Sequence, residues 1–295
     1  MIPRRAGMVP AHPTPEATLR PSLAVRELVD DALWSVHRDG AAEVLRDDDR
    51  ARSATTRVDD AEWNGVLRAR PAPGQTPDEL VQELLAPYVR TATAMLWHTD
   101  GDVDPGLEAA LRAAGLTVVE QEPAMVADLD PIAVAVEAPP GVVVQEVDDL
   151  VGLRAWMCVL LGLDPRAEAA VPERVRPRLS ALVAARAGVA LPGGDRHAPH
   201  LLATADGLPV GCAAVFTSGP AAVVDHVVTA RPWRGRGIGT ALTRAAMAAG
   251  SAAGHDRAVL TASPDGVGIL RALGFTPVGD VRRYRWSPGM RTPVR

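Results

Sequence analysis

Cysteine is almost missing from this chain: Cys158 and Cys212 are the only two among 295 residues. They stand far apart, each in an apolar run, with no C-x-x-C spacing and no Cys/His cluster. That excludes a disulfide framework and leaves no pattern for zinc, so no metal is expected and both read as buried free thiols of a reducing compartment. Long hydrophobic runs are missing too. No window approaches the roughly 18 unbroken apolar residues of a membrane helix, and Arg4 and Arg5 are followed by no apolar stretch, so a signal peptide is not expected. A surplus of positive charge is also lacking. The net charge is −5 and the pI about 5.8, which gives no footprint for nucleic acid or an anionic membrane and suits a cationic substrate such as an amine. The expectation is a soluble, cytoplasmic protein with no nucleic-acid and no membrane partner.

What is present is enough apolar sequence for two cores: hydrophobic residues make up 47% and charged residues 23%. Residues 1–20 read as a disordered tail. Leu23, Leu28, Ala32, Leu33 and Val36 space as a helix, and a second helix is expected across 41–52. Strands are expected over 63–68, 91–97, 116–120 and 124–129. Between them, Thr76-Pro77-Asp78-Glu79 is a capping box and Asp104-Pro105 a second capped start. Ala138-Pro139-Pro140-Gly141 is the best internal boundary. It divides a first domain, 21–137, from a second, 142–290, with 138–141 as linker. In the second, 142–147 reads as a strand, Leu150, Leu153, Trp156, Met157 and Leu160 mark a helix, and 173–186 another. Residues 192–197 read as a loop. Asp206-Gly207 joins the strands 201–205 and 210–216 as a hairpin. Strands at 222–229 and 258–262, helices at 238–249 and 265–273, and a last strand within 275–286 complete the pattern. Both halves contain a helix that ends in glycine before a strand (Gly115, Gly274), which suggests a duplicated fold.

The segment that carries chemistry runs from Val223 to Leu242: a strand, a short turn, and a glycine-dense loop that opens into an amphipathic helix. Gly235, Gly237 and Gly239 let backbone approach a ligand without Cβ obstruction. The first N–H groups of a helix lack intrahelical partners and lie at the positive end of its dipole, a site suited to phosphate. Arg234 or Arg236 can add charge. A P-loop is ruled out because Gly239-Thr240-Ala241 lacks the lysine. A Rossmann fingerprint is ruled out by the G-x-G-x-G spacing and by the residues separating Thr229 from Gly235. The bland alternative is a capped surface helix, which a whole strand–turn–loop–helix unit fits less well than a lone glycine triplet would.

Arg234-Gly235-Arg236-Gly237-Ile238-Gly239 resembles the core motif of the GCN5-related N-acetyltransferase (GNAT) superfamily, Arg/Gln-x-x-Gly-x-Gly/Ala after a strand. Leu273-Gly274-Phe275 is similar to that family's closing helix-to-strand junction. The resemblance covers about residues 142–286. The first half looks like a second, degenerate copy without the glycine loop, as in tandem bacterial members. The implied fold class is α/β (α+β): two GNAT-type domains, each a mixed, mostly antiparallel twisted sheet flanked by helices. The implied cosubstrate is acetyl-CoA, with Val227, Val228 and Thr229 along the pantetheine arm and residues Arg234, Gly235, Arg236, Gly237, Ile238, Gly239 and Thr240 around the pyrophosphate. Ser263 lies where members often have an asparagine at the cofactor. Leu270 lies where many have the tyrosine that protonates the leaving thiolate, a departure that leaves the acid unassigned.

The implied activity is acetyl transfer to a primary amine of a small molecule by direct attack in a ternary complex. A protein or peptide acceptor, and a non-catalytic acyl-CoA sensor or scaffold, are the alternatives. The candidate catalytic residues are Asp225, His226 and Ser263. Asp225 stands where the family often places a strand carboxylate. His226 has the better intrinsic pKa, but strand alternation points it away from Asp225. The bland readings are a hydrogen-bonded structural aspartate and a satisfied core histidine. Arg231, Arg282 and Arg283 read as solvated charges, Trp156 and Trp286 as core or cleft wall, and His197 and His200 as loop residues. A homodimer is left open.

Overall fold

The computed structural model describes residues 23–40, 43–56, 61–129, 137–147, 149–163 and 198–289. The tail expected over 1–20, the helix over 173–186 and the loop over 192–197, His197 included, lie outside them.

In the first half, helix α1 (Leu23–Gly40) precedes strands β1 (Glu43–Asp47), β2 (Ala51–Thr55) and β3 (Gly65–Ala69). Helix α2 (Pro77–Thr91), strand β4 (Met95–Asp100), helix α3 (Pro105–Ala113) and the long strand β5 (Thr117–Asp128) follow. The second half contributes β6 (Val142–Glu146), α4 (Leu150–Leu160), β7 (His200–Ala205), β8 (Leu208–Phe216) and β9 (Ala222–Thr229). It ends with α5 (Ile238–Ala252), β10 (Arg257–Thr261), α6 (Val267–Ala272) and β11 (Thr276–Trp286).

Local chemistry sets several boundaries. The Thr76 hydroxyl accepts from Glu79 N while the Glu79 carboxylate accepts from Thr76 N, and Asp104 accepts from Gly106 N and Leu107 N, so both expected caps form. Asp206 and Gly207 both have positive φ, 50° and 74°, as a two-residue hairpin turn requires. The helix expected across 41–52 is instead the β1–β2 hairpin. The Asp48 carboxylate accepts from Arg50 N and Ala51 N at the turn, and β2 is paired on both edges, by β1 and β3. Sheet pairing there outweighs a weak helical period. The two strands expected at 116–120 and 124–129 are one. Pro123, which has no N–H to donate, sits beside the irregular pairing at Gly279 of β11, where a missing donor is tolerated.

Among the described residues, eleven strands form one sheet in the order β1-β2-β3-β4-β11-β5-β10-β9-β8-β7-β6. The halves interleave: β11 from the second lies between β4 and β5, and β5 from the first lies between β10 and β11. Each half also contains one parallel pair joined through a helix, β3–β4 and β9–β10. Consequently Tyr284 and Trp286 of β11 are buried in the first half's core, against α2 and α3. The second core packs Ile238, Leu242 and Ala246 of α5 onto the sheet. Trp156 of α4 is also core, its Nε1 donating to Ala213 O at 2.8 Å. Cys158 and Cys212 are buried and unpaired with each other. Among the described residues no helix is long and apolar enough to cross a membrane, and no group of three or more His, Cys, Asp or Glu is placed to hold a metal ion.

Candidate active site

The two parallel strands β9 and β10 pair only at Ala222–Ala258 and Val223–Val259. Beyond that point they diverge, and a cleft of about 990 Å³ opens between them. One side is Val224 to Thr229 with the glycine loop; the other is Leu260 to Ser263 with Leu270.

The loop folds as its glycines dictate. After a 3-10 turn at Arg231–Trp233, Gly235 and Gly237 take φ of 73° and 81°, a region that side chains disfavour. Gly237 is the N-cap of α5, and no side chain caps that helix. The first half differs at the corresponding helix, where Thr76 and the Glu79 carboxylate already occupy the start of α2. The two arginines are less free than expected. Arg234 Nε donates to Thr229 O at 3.2 Å, and the Arg236 guanidinium stacks 4.7 Å from the Trp233 ring centre.

The expectation that Asp225 and His226 face apart is overturned. Cys212 pairs with Val228 and Ala214 with Asp225, so two residues of β9, His226 and Val227, oppose one residue of β8. This bulge suspends the alternation. His226 has φ 56°, its N–H donates to Asp225 Oδ1 at 2.6 Å, and its Nδ1 lies 3.3 Å from Asp225 Oδ2. A non-glycine residue in the left-handed region is held there by its surroundings, and such strain concentrates at functional sites. Here the surroundings are the rings of Trp63, Trp156 and Phe216, centred 6.4, 5.6 and 6.3 Å from the imidazole. His200, expected in a loop, begins β7 and is buried edge-on to Trp156.

The cleft also contains residues that sequence reasoning missed: His37 of α1, His98 of β4, Glu120 and Glu122 of β5. Arg283, expected to be a solvated charge, is in the same wall, its guanidinium contacting Glu120, Glu122 and Thr261. Arg282 is paired with Glu108 and Gln121. No local signal marks these residues, because the interleaved strands bring them together. Both of the chain's tyrosines are elsewhere: Tyr88 donates to Ala54 O and Gly65 O, and Tyr284 is in the first half's core.

Burial pushes His37 below its usual 6.5 and His98 well below it, with Arg283 adding repulsion to both. The unfolded chain therefore takes up protons below 6.5 that the native chain does not, and the stability tied to these neutral rings is lost as pH falls through that value. Asp30 acts in the opposite sense: burial, then Asp100, raises it from 3.8 to about 6, so its penalty is relieved over the same acid range. The comparison that isolates the histidine is between variants. His98→Gln should flatten the acid fall in Tm relative to the parent chain. Parallel profiles in a pH series of melts would show that His98 is not buried neutral.

Residues 196–277 match the family model described as an acetyltransferase (GNAT) domain. No curated protein matches the sequence. Among solved structures, a GCN5-related N-acetyltransferase from Kribbella flavida is similar at 20% identity and a TM-score of 0.62, over 90% of this chain and 96% of that one. A conserved protein of unknown function from Staphylococcus epidermidis ATCC 12228 is 12% identical, with a TM-score of 0.59 over 83% and 94% of the two chains. A tandem GNAT protein from the clavulanic acid biosynthesis pathway is 21% identical, with a TM-score of 0.53 over 81% and 78%. Residues 196–277 thus carry the match to a GNAT domain, and the chain has the α/β fold of GNAT acetyltransferases, tandem members among them. Acyl transfer is the chemistry this fold supports.

Proposed function

We propose that this chain transfers an acetyl group from acetyl-CoA to a primary amine of a small molecule, by direct attack within a ternary complex. The observation that carries the reading is that one cleft joins three features. These are the side-chain-free start of α5, the divergent edges of β9 and β10, and the Asp225–His226 pair. The residues fit the cosubstrate: positive φ at Gly235 and Gly237, with no Cβ to crowd the approach, leaves backbone N–H groups from Gly235 to Thr240 available to a pyrophosphate, while the Arg234 N–H is given to Arg231 O at 3.3 Å. Val227, Val228 and Thr229 would lie along the pantetheine arm. Acetyl-CoA, when bound, supplies the acetyl group as a thioester whose C–S bond breaks as the new C–N bond forms.

The chain's own tasks are two. The backbone N–H of Thr229 donates to the carbonyl oxygen as it gains charge, since that of Val228 is directed to Cys212 on β8. The Asp225–His226 pair takes the proton that the ammonium must lose, with the carboxylate orienting the imidazole. Ser263, at the end of β10 in the same cleft, is the donor on the thiolate side. A covalent route through cysteine is disfavoured: burial pushes the Cys212 thiol up to about 12, so it is no nucleophile near neutrality. The glycine-loop half binds the cosubstrate alone, because the capping box fills the equivalent helix start in the first half.

One observation favours a second reading, an acyl-CoA sensor: Leu270 lines the cleft where many members have tyrosine, and neither tyrosine of the chain reaches it. Turnover separates the two. The full chain with acetyl-CoA and a panel of small amines should release free CoA thiol above the background hydrolysis rate. Binding of acetyl-CoA with no thiol release from any amine would establish the sensor and remove the transferase.

A further inference from the structure

The wall of the cleft contributed by the first half has no role in the transfer described above. There β4, β11 and β5 lie side by side, and their register sets His98 opposite Arg283 and Arg283 opposite Glu120. Opposed residues of antiparallel strands share a face, so these three form a row across the interleaved strands, with Glu122 two residues along on the same face. Arg283 Nη1 contacts Glu120 and lies 3.0 Å from Glu122 Oε2, while its Nη2 lies 2.9 Å from Thr261 Oγ1 at the end of β10. His37 of α1 lies edge-on to His98, ring centres 5.4 Å apart, and both line the same cleft as Asp225, His226 and Arg283.

Two observations give this wall a ligand. Its charges do not balance: one guanidinium serves two carboxylates, and the two histidines facing it are neutral. Its polar atoms are not satisfied either. Both ring nitrogens of His98 are buried without a hydrogen-bond partner among the described residues, and the residue lines the cleft. Buried polar atoms are almost always paired, so an unpaired imidazole facing a cavity points to a group that arrives with a ligand.

We propose that the row His98–Arg283–Glu120–Glu122 binds the non-reacting end of the acceptor and selects an amine that carries a second cationic nitrogen. The inference rests on the transferase reading. The reacting nitrogen is beside Asp225 and His226, and the second is held by Glu120 and Glu122 with a hydrogen bond to His98. The carbon chain between them runs against Leu33, Val36 and Leu96, which line the same cleft. The acceptor class is therefore a small aliphatic diamine, and both halves are needed to bind it.

The test uses the full chain with diaminobutane and butylamine, which share a carbon chain and differ in the second ammonium. In the parent chain kcat/KM should favour diaminobutane by about tenfold, the effect of one well-placed ionic contact. Glu120→Gln, at the half-exposed end of the row, and His98→Gln should each narrow that ratio through KM for the diamine more than through kcat. A merely structural role would instead lower Tm and leave the ratio in place. A ratio near one in the parent chain, or an unchanged ratio in both variants, overturns the inference while leaving the transferase standing. If neither amine is turned over but diaminobutane raises Tm more than butylamine does, and this difference disappears in Glu120→Gln, the site stands and the transferase reading fails. No turnover and no shift with either amine overturns the inference.

Discussion

Gly237→Asp should abolish the rise in melting temperature that acetyl-CoA gives the parent chain, while lowering the unliganded melt by a few degrees through backbone strain, with the chain still folded. The two halves of that expectation have separate causes. Gly237 is the N-cap of α5 with φ 81°. A side chain at this φ is strained, but aspartate is among the residues that tolerate the region best, and its carboxylate would lie beside the free N–H groups of the first turn. An added Cβ would come no closer than 3.4 Å to Pro139 Cγ. The fold should survive. The ligand site should not, since the new carboxylate would take the donors a pyrophosphate needs and repel its charge. At a hundredfold excess over Kd, binding stabilises a native chain by about 2.7 kcal/mol, a shift of several degrees that a melting curve resolves. An undiminished shift in the variant would place the cosubstrate elsewhere.

Asp225→Asn should lower kcat by at least about tenfold at neutral pH, or roughly 1.4 kcal/mol of barrier, with acetyl-CoA affinity little changed. General base catalysis contributes about 10²–10⁴-fold, and the carboxylate here contacts both the backbone and the ring of His226, at 2.6 and 3.3 Å. Asparagine keeps the shape and one acceptor oxygen but loses the charge that orients and stabilises a protonated imidazole. His226→Gln should lower kcat as well, because the bulge makes the two residues one unit, whereas Ser263→Ala should have a smaller effect. The deficit of Asp225→Asn should shrink at high pH, where more of the amine arrives already deprotonated. Parent-like turnover across the pH range would make Asp225 structural and assign the proton to water or a backbone carbonyl.

The sequence by itself determined what depends on near neighbours. Glycines 235, 237 and 239 ahead of an amphipathic stretch specify a bare helix start, just as Thr76 and Glu79 specify a filled one, since caps reach only three residues along the chain. The Asp206-Gly207 turn follows from the φ its two residues tolerate, and the buried thiols from their apolar flanks. Tertiary structure decided the rest. The β1–β2 hairpin replaces a helix because a neighbouring strand was available to pair with β2. His226 turns toward Asp225 because a bulge adds one residue opposite β8, which no alternation pattern announces. The acceptor wall exists only because β5 and β11 cross between the halves: Arg283 and Glu120 are 163 positions apart. Contacts between such distant residues are fixed by strand register and chain topology, which leave no periodic trace in either segment.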